Sequence, residues 1–190
     1  MSTTIVMLPH NTDVHPVPSG PTSPDHGPGR APWHTLPFQL LNPYERVTYQ
    51  YSPLGIGVKD AIALRPSNPH FIHGQRQIVW MPAMGKRGFS LELTQPLMQV
   101  QLWVRASQPV TLIALNHRGD CVALGHTPDR QIPLSGDRPL PTQVLAVYTH
   151  QVQTLHLSAN TPFVVTQVRV QRSQTPVTPN SIIPLPNRCA

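Results

Sequence analysis

The feature that most constrains the fold is a stretch of short alternating apolar runs between residues 99 and 170, with proline-rich segments on both sides. Leu102 and Val104 share one parity along the chain, whereas Gln101 and Arg105 share the other. A period of two is typical of β-strands with one buried face, and no helical period competes with it. The central part of the chain is therefore predicted to be β-structure.

Turn residues separate these runs at short intervals. Asn116–Gly119 predicts a tight turn into the run that begins at Cys121, with glycine where a positive φ is needed. Val110–Leu115 is apolar almost throughout and predicts a strand covered on both faces. Earlier alternating runs are Val47–Tyr51, Ile62–Leu64, Ile78–Trp80 and Phe89–Leu93. We expect roughly eight to ten strands in a single antiparallel jelly-roll β-sandwich.

Proline divides the chain into a body and two arms. Residues 7–43 carry prolines at short intervals, which excludes helix and central strand there. Proline returns between residues 176 and 186. The predicted organisation is an extended N-terminal arm over 1–43, a sandwich over 44–172 and a C-terminal tail over 173–190.

The charge of the chain bears on its partners. The net charge is +6, from 14 basic and 8 acidic residues. The basic residues are mostly arginines that are scattered along the chain, with Lys86 and Arg87 as the one adjacent pair. A nucleic-acid site requires a concentrated basic stripe, so this distribution disfavours nucleic acid and favours docking on protein or other polar surfaces.

Cellular location can be inferred from the termini and the cysteines. Met1–His10 lacks a basic segment followed by a long apolar core, and no apolar run approaches the length of a membrane span. We expect synthesis in the cytoplasm without a Sec signal, and no membrane partner. Cys121 is expected to be a small buried hydrophobe at the start of a core strand, and a disulfide to Cys189 is not expected.

No arrangement in the sequence predicts catalysis. A glycine-flanked serine, a cysteine–histidine signature and a glycine-rich phosphate loop are all missing from the sequence. His70 and His73 would lie on opposite faces of a strand, and His150 and His156 would be about 20 Å apart on one. We therefore expect no enzyme, no catalytic residue, no metal site and no cofactor.

A family resemblance rests on three runs of the body. These are WMPAMGKRGFSLELTQPLMQVQLWVRA, PVTLIALNHRGDCVALG and VQTLHLSANTPFVVTQVRV. In this order they resemble the strands and hairpin of galactose-binding-like jelly-roll modules, over about Tyr44 to Arg172. The resemblance implies a binding module that uses loops at one end of the sandwich, often with a structural calcium ion. The acids here are dispersed, with Asp129 and Asp137 in one loop, so calcium is expected to bind weakly at most.

Glycans stack on exposed aromatic rings, so the aromatic residues are the candidates for a ligand platform. Trp103 stands in the polar row that also contains Gln101 and Arg105. Two interpretations are open. The ring is a platform for a glycan, or an arm or a neighbouring subunit covers it. The second interpretation is preferred, because the arms carry apolar residues that need a partner surface.

The proline-rich arms distinguish two possible functions, glycan binding and assembly into a larger particle. A lectin does not need them, whereas an assembly protein uses such arms to contact neighbouring subunits. We therefore expect a structural protein of the virion decoration, cement or adaptor type, incorporated into a large particle. The alternative is a glycan-binding surface or host-attachment module. The predicted partners are protein subunits of the particle or further copies of the chain. The predicted contact residues are Trp33, Phe38, Leu40, Leu41, Ile182, Ile183 and Leu185.

Overall fold

The computed structural model describes residues 5–8 as backbone and residues 31–71, 77–129, 139–149 and 151–173 in full. Within these ranges the regular secondary structure is almost all β-strand, with short 3-10 turns at Phe38–Leu40, Ser52–Leu54 and Pro69–Phe71. The strands are β1 (Ile5–Leu8), β2 (Trp33–Thr35), β3 (Arg46–Val47), β4 (Ile56–Lys59), β5 (Ala61–Leu64), β6 (Val79–Pro82), β7 (Gly88–Leu93), β8 (Leu97–Ala106), β9 (Thr111–Leu115), β10 (Cys121–His126), β11 (Gln143–Tyr148), β12 (Thr154–Ser158) and β13 (Phe163–Arg172).

The strands form two antiparallel sheets. Sheet A has the order β1-β11-β8-β13-β6-β5-β3, and β2 pairs with β13 beside β6. Sheet B has the order β10-β9-β12-β7-β4. From β7 to β9 and again from β10 to β13, successive strands alternate mostly between the two sheets, which is how a sandwich places sequence neighbours face to face. The predicted all-β antiparallel sandwich is confirmed.

The core lies between the two sheets and follows the predicted alternation. On β8, Val100, Leu102 and Val104 are buried, and on β7, Phe89 and Leu91 are buried. Because a strand sends successive side chains to opposite faces, each strand contributes one row to this core. An aromatic cluster fills one part of it. Its members are Phe38, Tyr51, Trp80, Phe89 and Phe163.

Strand β9 differs from the prediction of a strand covered on both faces. Leu112 and Ala114 are fully buried, whereas Ile113 and Leu115 are half-buried. One face of sheet B packs against sheet A, and the other face points away from it. The apolar residues on the outward side of β9 are thus part of the protein surface.

The hairpin between β9 and β10 has the predicted turn. Gly119 has a φ of +83° and its amide donates to the carbonyl of Asn116 at 3.0 Å. The Asn116 side-chain oxygen accepts from the amides of Arg118 at 2.8 Å and Asp120 at 3.0 Å. Asparagine and glycine therefore close this turn by side-chain capping and by access to left-handed backbone geometry.

The sandwich begins earlier than predicted, because residues 31–43 pack as part of it. Strand β2 pairs with β13, and the Leu36 amide donates to the Val168 carbonyl at 2.9 Å. Phe38 and Leu41 are buried in the central core. The prolines of this segment interrupt pairing without preventing burial, since β2 is only three residues long and a 3-10 turn needs few amide donors.

The first residues of the predicted arm also return to the sandwich. Strand β1 pairs with β11, with Ile5 opposite Val147 and Leu8 opposite Val144. Residues 9–30 and 174–190 lie outside the described residues, so the predicted contacts of Ile182, Ile183 and Leu185 remain predictions.

The two ends of the main body lie side by side. The Gln171 side chain near the end of β13 donates from Nε2 to the Ala31 carbonyl at 2.7 Å. Two residues further on, the Ser173 amide donates to the Pro96 carbonyl at 3.3 Å. The segments that precede residue 31 and follow residue 173 therefore start from the same corner of the sandwich.

Candidate functional site

The predicted platform residue Trp103 is part of a stack on the outer face of sheet A. The Arg169 guanidinium carbon lies 5.9 Å from the centroid of the Trp103 ring and 5.7 Å from that of Trp33. Trp103 comes from β8, Arg169 from β13 and Trp33 from β2. A guanidinium at this distance from two rings makes cation–π contacts with both.

The surroundings of Trp103 do not form an open platform. Trp103 and Gln101 are half-buried, and Arg105 is buried, with 5% of its surface exposed. The Arg105 Nε donates to the Thr142 hydroxyl at 2.9 Å, and burial lowers the pKa of the guanidinium. Arginine in such a place is held by the fold, and its Nη1 has no hydrogen-bond partner among the described residues. The three predicted residues thus share a face, but only part of that face is accessible.

Apolar residues next to this stack are also buried on the outward side of sheet A. Val144 is opposite Trp103 in the register, and Ala146 is opposite Gln101; both are buried. Val164, opposite Arg105, is buried as well. This side of sheet A is therefore a covered face with its own small set of packed residues, unlike an exposed lectin surface.

The predicted arm contacts separate into three groups. Phe38 and Leu41 are core residues of this chain and have no surface to offer a partner. Trp33 is half-buried in the stack with Arg169. Leu40 is 76% exposed, as a side chain that contacts a partner would be.

A cleft that the sequence did not indicate lies at the β3 edge of sheet A. It has a volume of about 510 Å³, and Tyr49 and Met84 line it. Tyr49 is 78% exposed and Met84 is 98% exposed. Exposure of an aromatic ring and a thioether beside an open cleft is typical of a binding surface.

Charged side chains of both signs surround this cleft. Arg46, Lys59 and Lys86 contribute positive charge, and Asp60 and Glu92 contribute negative charge. Lys86 Nζ lies 3.8 Å from an Asp60 carboxylate oxygen, and both side chains are well exposed. The arrangement offers donors and acceptors around a stacking ring, which suits hydroxyl-rich ligands or a polar protein loop.

The sequence prediction missed Tyr49 because it placed this residue on the same face as Val47 and Tyr51. The strand β3 ends at Val47, and a loop follows in which Tyr51 is buried and Tyr49 is exposed. Gln50 stabilises this loop, since its side-chain oxygen accepts from the Thr48 amide at 2.6 Å and its amide group donates to the Glu45 carboxylate at 2.8 Å. Pro53 and Gly55 were the available signal that the strand had ended.

A serine and a histidine meet on the outer face of sheet B. Ser90 Oγ lies 3.0 Å from His156 Nδ1, and the two residues are register partners on β7 and β12. Catalytic pairs of this kind need a third group that orients the imidazole, and within the described ranges His156 donates no hydrogen bond to a carboxylate. The pair thus acts as a cross-strand contact in this geometry.

Metal sites, membrane spans and the free thiol concern the same part of the chain. No group of three or more metal-ligating side chains is present in residues 31–71, 77–129, 139–149 and 151–173. No helix in the described chain has the length and apolar character needed to cross a membrane. Cys121 is exposed, in contrast to the prediction that it is buried, because the hairpin turn places it at the open end of the edge strand β10.

The fold and these surfaces define a class, the antiparallel β-sandwich. No protein-family model matches the chain, and no curated protein matches it. Among solved structures it is similar to a mutant of CBM29-2, a family 29 carbohydrate-binding module, with 11% identity and a TM-score of 0.35 over 63% of this chain and 82% of that chain.

It is also similar to the enzymatically active domain of tailspike protein 4 of bacteriophage CBA120, with 9% identity and a TM-score of 0.30. That likeness covers 67% of this chain and 20% of the phage protein.

Proposed function

We propose that this chain is a non-enzymatic assembly protein that docks onto a larger particle, in the manner of a decoration, cement or adaptor protein. In this proposal the sandwich is the rigid unit that sits on the particle, and the terminal segments run over neighbouring subunits. The observation that carries the proposal is the common corner from which both terminal segments start, fixed by the hydrogen bond from Gln171 to the Ala31 carbonyl.

The common corner favours assembly for a geometric reason. Two proline-rich segments that start from one point can contact the same neighbour, and each contact raises the effective concentration for the other. Proline restricts an extended segment before it binds, so less entropy is lost when the segment is ordered on a partner. Residues 9–30 and 174–190 carry this composition.

A docking surface is available on the sandwich itself. Leu40, Tyr44 and Tyr49 are each more than three-quarters exposed, and Met84 is almost fully exposed. Glu45 connects two parts of this surface, since it accepts from the Asn42 amide at 2.8 Å and from the Gln50 side chain at 2.8 Å. We call Leu40, Tyr44, Tyr49 and Met84 the β3-edge patch. Tyr49 and Met84 line one cleft, and Leu40 and Tyr44 lie in the segment that leads into β3. Exposed large apolar side chains are candidates for contact with a partner.

The test is recovery of the native complex. A tag on this chain is used to purify it from its natural source, and the mass and composition of the complex are measured. We expect a large particle with this chain at fixed stoichiometry. Removal of residues 1–30, which also takes β1 from the edge of sheet A, or of residues 174–190 should leave the core of the sandwich folded and abolish incorporation.

A matched pair of surface variants tests the β3-edge patch. Tyr44→Ser combined with Tyr49→Ser should reduce incorporation strongly, whereas His117→Ser at the exposed hairpin tip should leave it unchanged. Full incorporation of both truncated chains and of the patch variant would refute the assembly function.

The Tyr49 cleft favours a second candidate function, which is glycan binding. An exposed tyrosine among Lys59, Asp60, Lys86 and Glu92 has the combination of a stacking ring and polar neighbours that sugars require. In this case a glycan array should give binding that Tyr49→Ala removes. Tyr148→Ala is the control, because Tyr148 is 45% exposed and lies on β11, away from the cleft.

A further inference from the structure

The N-terminal strand β1 is joined to the rest of the sandwich in an unusual way. It has only four residues, Ile5–Leu8, and within the described chain it adds to sheet A by pairing with β11. The next described residue is Ala31, so 22 residues (9–30) connect β1 to β2. The edge strand and the body are therefore connected by a much longer piece of chain than an ordinary sheet connection.

The position of β1 in the sheet gives the distance that this connection must cross. From β1 to β2 there are four steps, over β11, β8 and β13. Leu8 is level with Gln167 through Val144 and Trp103, whereas Trp33 is level with Gln171. With about 4.8 Å between strands and about 3.3 Å per residue, the direct distance from Leu8 to Ala31 is roughly 25–30 Å.

The connection is long enough for more than this distance. Twenty-two residues span up to about 75 Å when fully extended. The excess of some 45–50 Å lets β1 reach the β11 strand of an adjacent molecule, provided that this strand lies within about 75 Å of Ala31. Chain length therefore permits β1 to pair within one molecule or between two.

The receiving strand needs an occupant. Val144, Leu145, Ala146 and Val147 of β11 are consecutive residues that are all buried. Without β1, this apolar strand would be the edge of sheet A, with unpaired backbone groups that pair readily with other chains. The same β1–β11 hydrogen bonds satisfy these groups whichever copy supplies the strand.

The balance between the two arrangements depends on concentration. Because the contacts are identical, the two arrangements differ mainly in the entropy of closing the connection. For a connection of this length the effective concentration of a chain's own strand is on the order of millimolar. Neighbouring copies held side by side on a particle reach a local concentration of the same order.

We propose that β1 is exchanged between copies of this chain, so that the Ile5–Leu8 strand of one copy pairs with β11 of the next. This inference deepens the proposed assembly function and names a second copy of the chain as a partner. The exchanged strand links neighbouring sandwiches without a change in the fold of either one. Each copy then offers its own β11 to another neighbour, so the contact can be repeated.

Engineered cysteines test the exchange directly in the purified full chain. Val6 and Ala146 are register partners, and opposite residues of antiparallel strands are close enough for a disulfide. Cys121 and Cys189 are first replaced by serine. A tagged chain with Val6→Cys is mixed with an untagged chain with Ala146→Cys at roughly 1 µM and at roughly 1 mM, concentrations below and near the expected effective concentration.

We expect a disulfide-linked heterodimer whose yield rises with concentration. The matched control replaces Ala146→Cys by Tyr49→Cys, which lies at the opposite edge of sheet A and is exposed. The 6–146 product should exceed this control at least tenfold. If the yield equals that of the control at the higher concentration, while a Val6→Cys/Ala146→Cys double variant closes within single chains, the exchange is refuted.

A shortened connection provides a second, independent measurement. Removal of residues 11–28 leaves four residues between β1 and Ala31, which span at most about 18 Å and cannot reach across the sheet. We expect the mass in solution to change from that of a monomer to that of a dimer or larger oligomer. A monomer would refute the exchange. Both measurements use the isolated chain, so they can succeed even if the protein never joins a particle.

Discussion

Phe38 stacks on Trp80 with their ring centroids 4.3 Å apart and their planes at 14°. Trp80 is fully buried on β6, whereas Phe38 belongs to a 3-10 turn in a segment that contains prolines. The stack attaches this segment to the core of the sandwich. Residues that the sequence assigned to an extended arm are thus part of the folded unit.

The first prediction concerns this attachment. Phe38→Ala should lower the free energy of unfolding by about 3–4 kcal/mol, because it removes a buried ring and leaves a cavity beside Trp80. Leu40→Ala, two residues away and 76% exposed, should change it by less than about 0.5 kcal/mol. Chemical denaturation of the two variants measures both values. Equal effects would contradict the placement of Phe38 in the core.

The second prediction concerns the stack around Arg169. Trp33→Ala and Arg169→Met, singly and together, should reveal a coupling energy of about 0.5–1 kcal/mol, as expected for a cation–π contact. A parallel cycle of Trp33→Ala with Arg65→Met should give no coupling, because Arg65 is exposed elsewhere on the surface. Additive effects of the Trp33 and Arg169 substitutions would show that the guanidinium does not contact the ring.

The third prediction concerns Gly88, at the start of β7. A Cβ built at this position would lie 2.1 Å from the Leu157 carbonyl oxygen of the neighbouring strand β12. Gly88→Ala should therefore destabilise the protein by about 2–3 kcal/mol, since the two backbones must move apart. Gly57 on β4 is the control, because its nearest contacts are at 3.5 Å or beyond and Gly57→Ala should be close to neutral. Thermal unfolding of both variants measures the difference.

The fourth prediction is a pH dependence. Burial of the Tyr51 side chain raises the pKa of its phenol from 10.0 to about 12. The folded protein thus holds this proton more tightly than the unfolded chain does. The Tyr51 phenol therefore makes its full contribution to the free energy of unfolding below pH 10, and this contribution is lost as the pH rises toward 12.

The matched variant isolates this group. Tyr51→Phe has no phenol at this position and should not show the loss of unfolding free energy that ionisation of Tyr51 causes. The unfolding free energy of the original protein minus that of Tyr51→Phe should therefore decrease between pH 9 and pH 11. A difference that is constant over this range would show that the Tyr51 phenol ionises equally in both states.

The fifth prediction concerns Cys121. In a Cys189→Ser background the native protein should react with one equivalent of a thiol reagent without denaturant, because Cys121 is exposed. Its Sγ donates to the Ala123 carbonyl at 3.5 Å, a weak contact that does not shield the thiol. Modification only after unfolding would restore the buried interpretation of this residue.

The alternation of apolar residues was sufficient to predict the sandwich. Val100, Leu102 and Val104 are buried because a period of two places them on one face of β8, and the sequence carries that information locally. The turn at Asn116 and Gly119 was equally local, since its residue types require that backbone geometry.

Features that depend on distant contacts could not be predicted in the same way. Phe38 and Leu41 lie between prolines and are buried in the core of this chain. The local sequence does not distinguish an apolar side chain that packs in the core of its own chain from one that contacts a partner protein. Tyr49 has the same sequence parity as Val47 and Tyr51, but β3 ends at Val47, so parity does not determine which way the Tyr49 side chain points. Arg105 shared a polar row with Gln101, but its burial depends on the residues packed against the outer face of sheet A.

Because Ala31 and Ser173 are adjacent, the order of the strands along the chain could be changed while their arrangement in the sandwich is kept. A chain in which these two positions are joined by a short linker could be opened elsewhere, for instance at the exposed turn between Asn116 and Asp120, and the two sheets, without the edge strand β1, would be assembled in a different sequence order. The sandwich could then be inserted into a loop of another protein as a single unit, entering and leaving its host at one point.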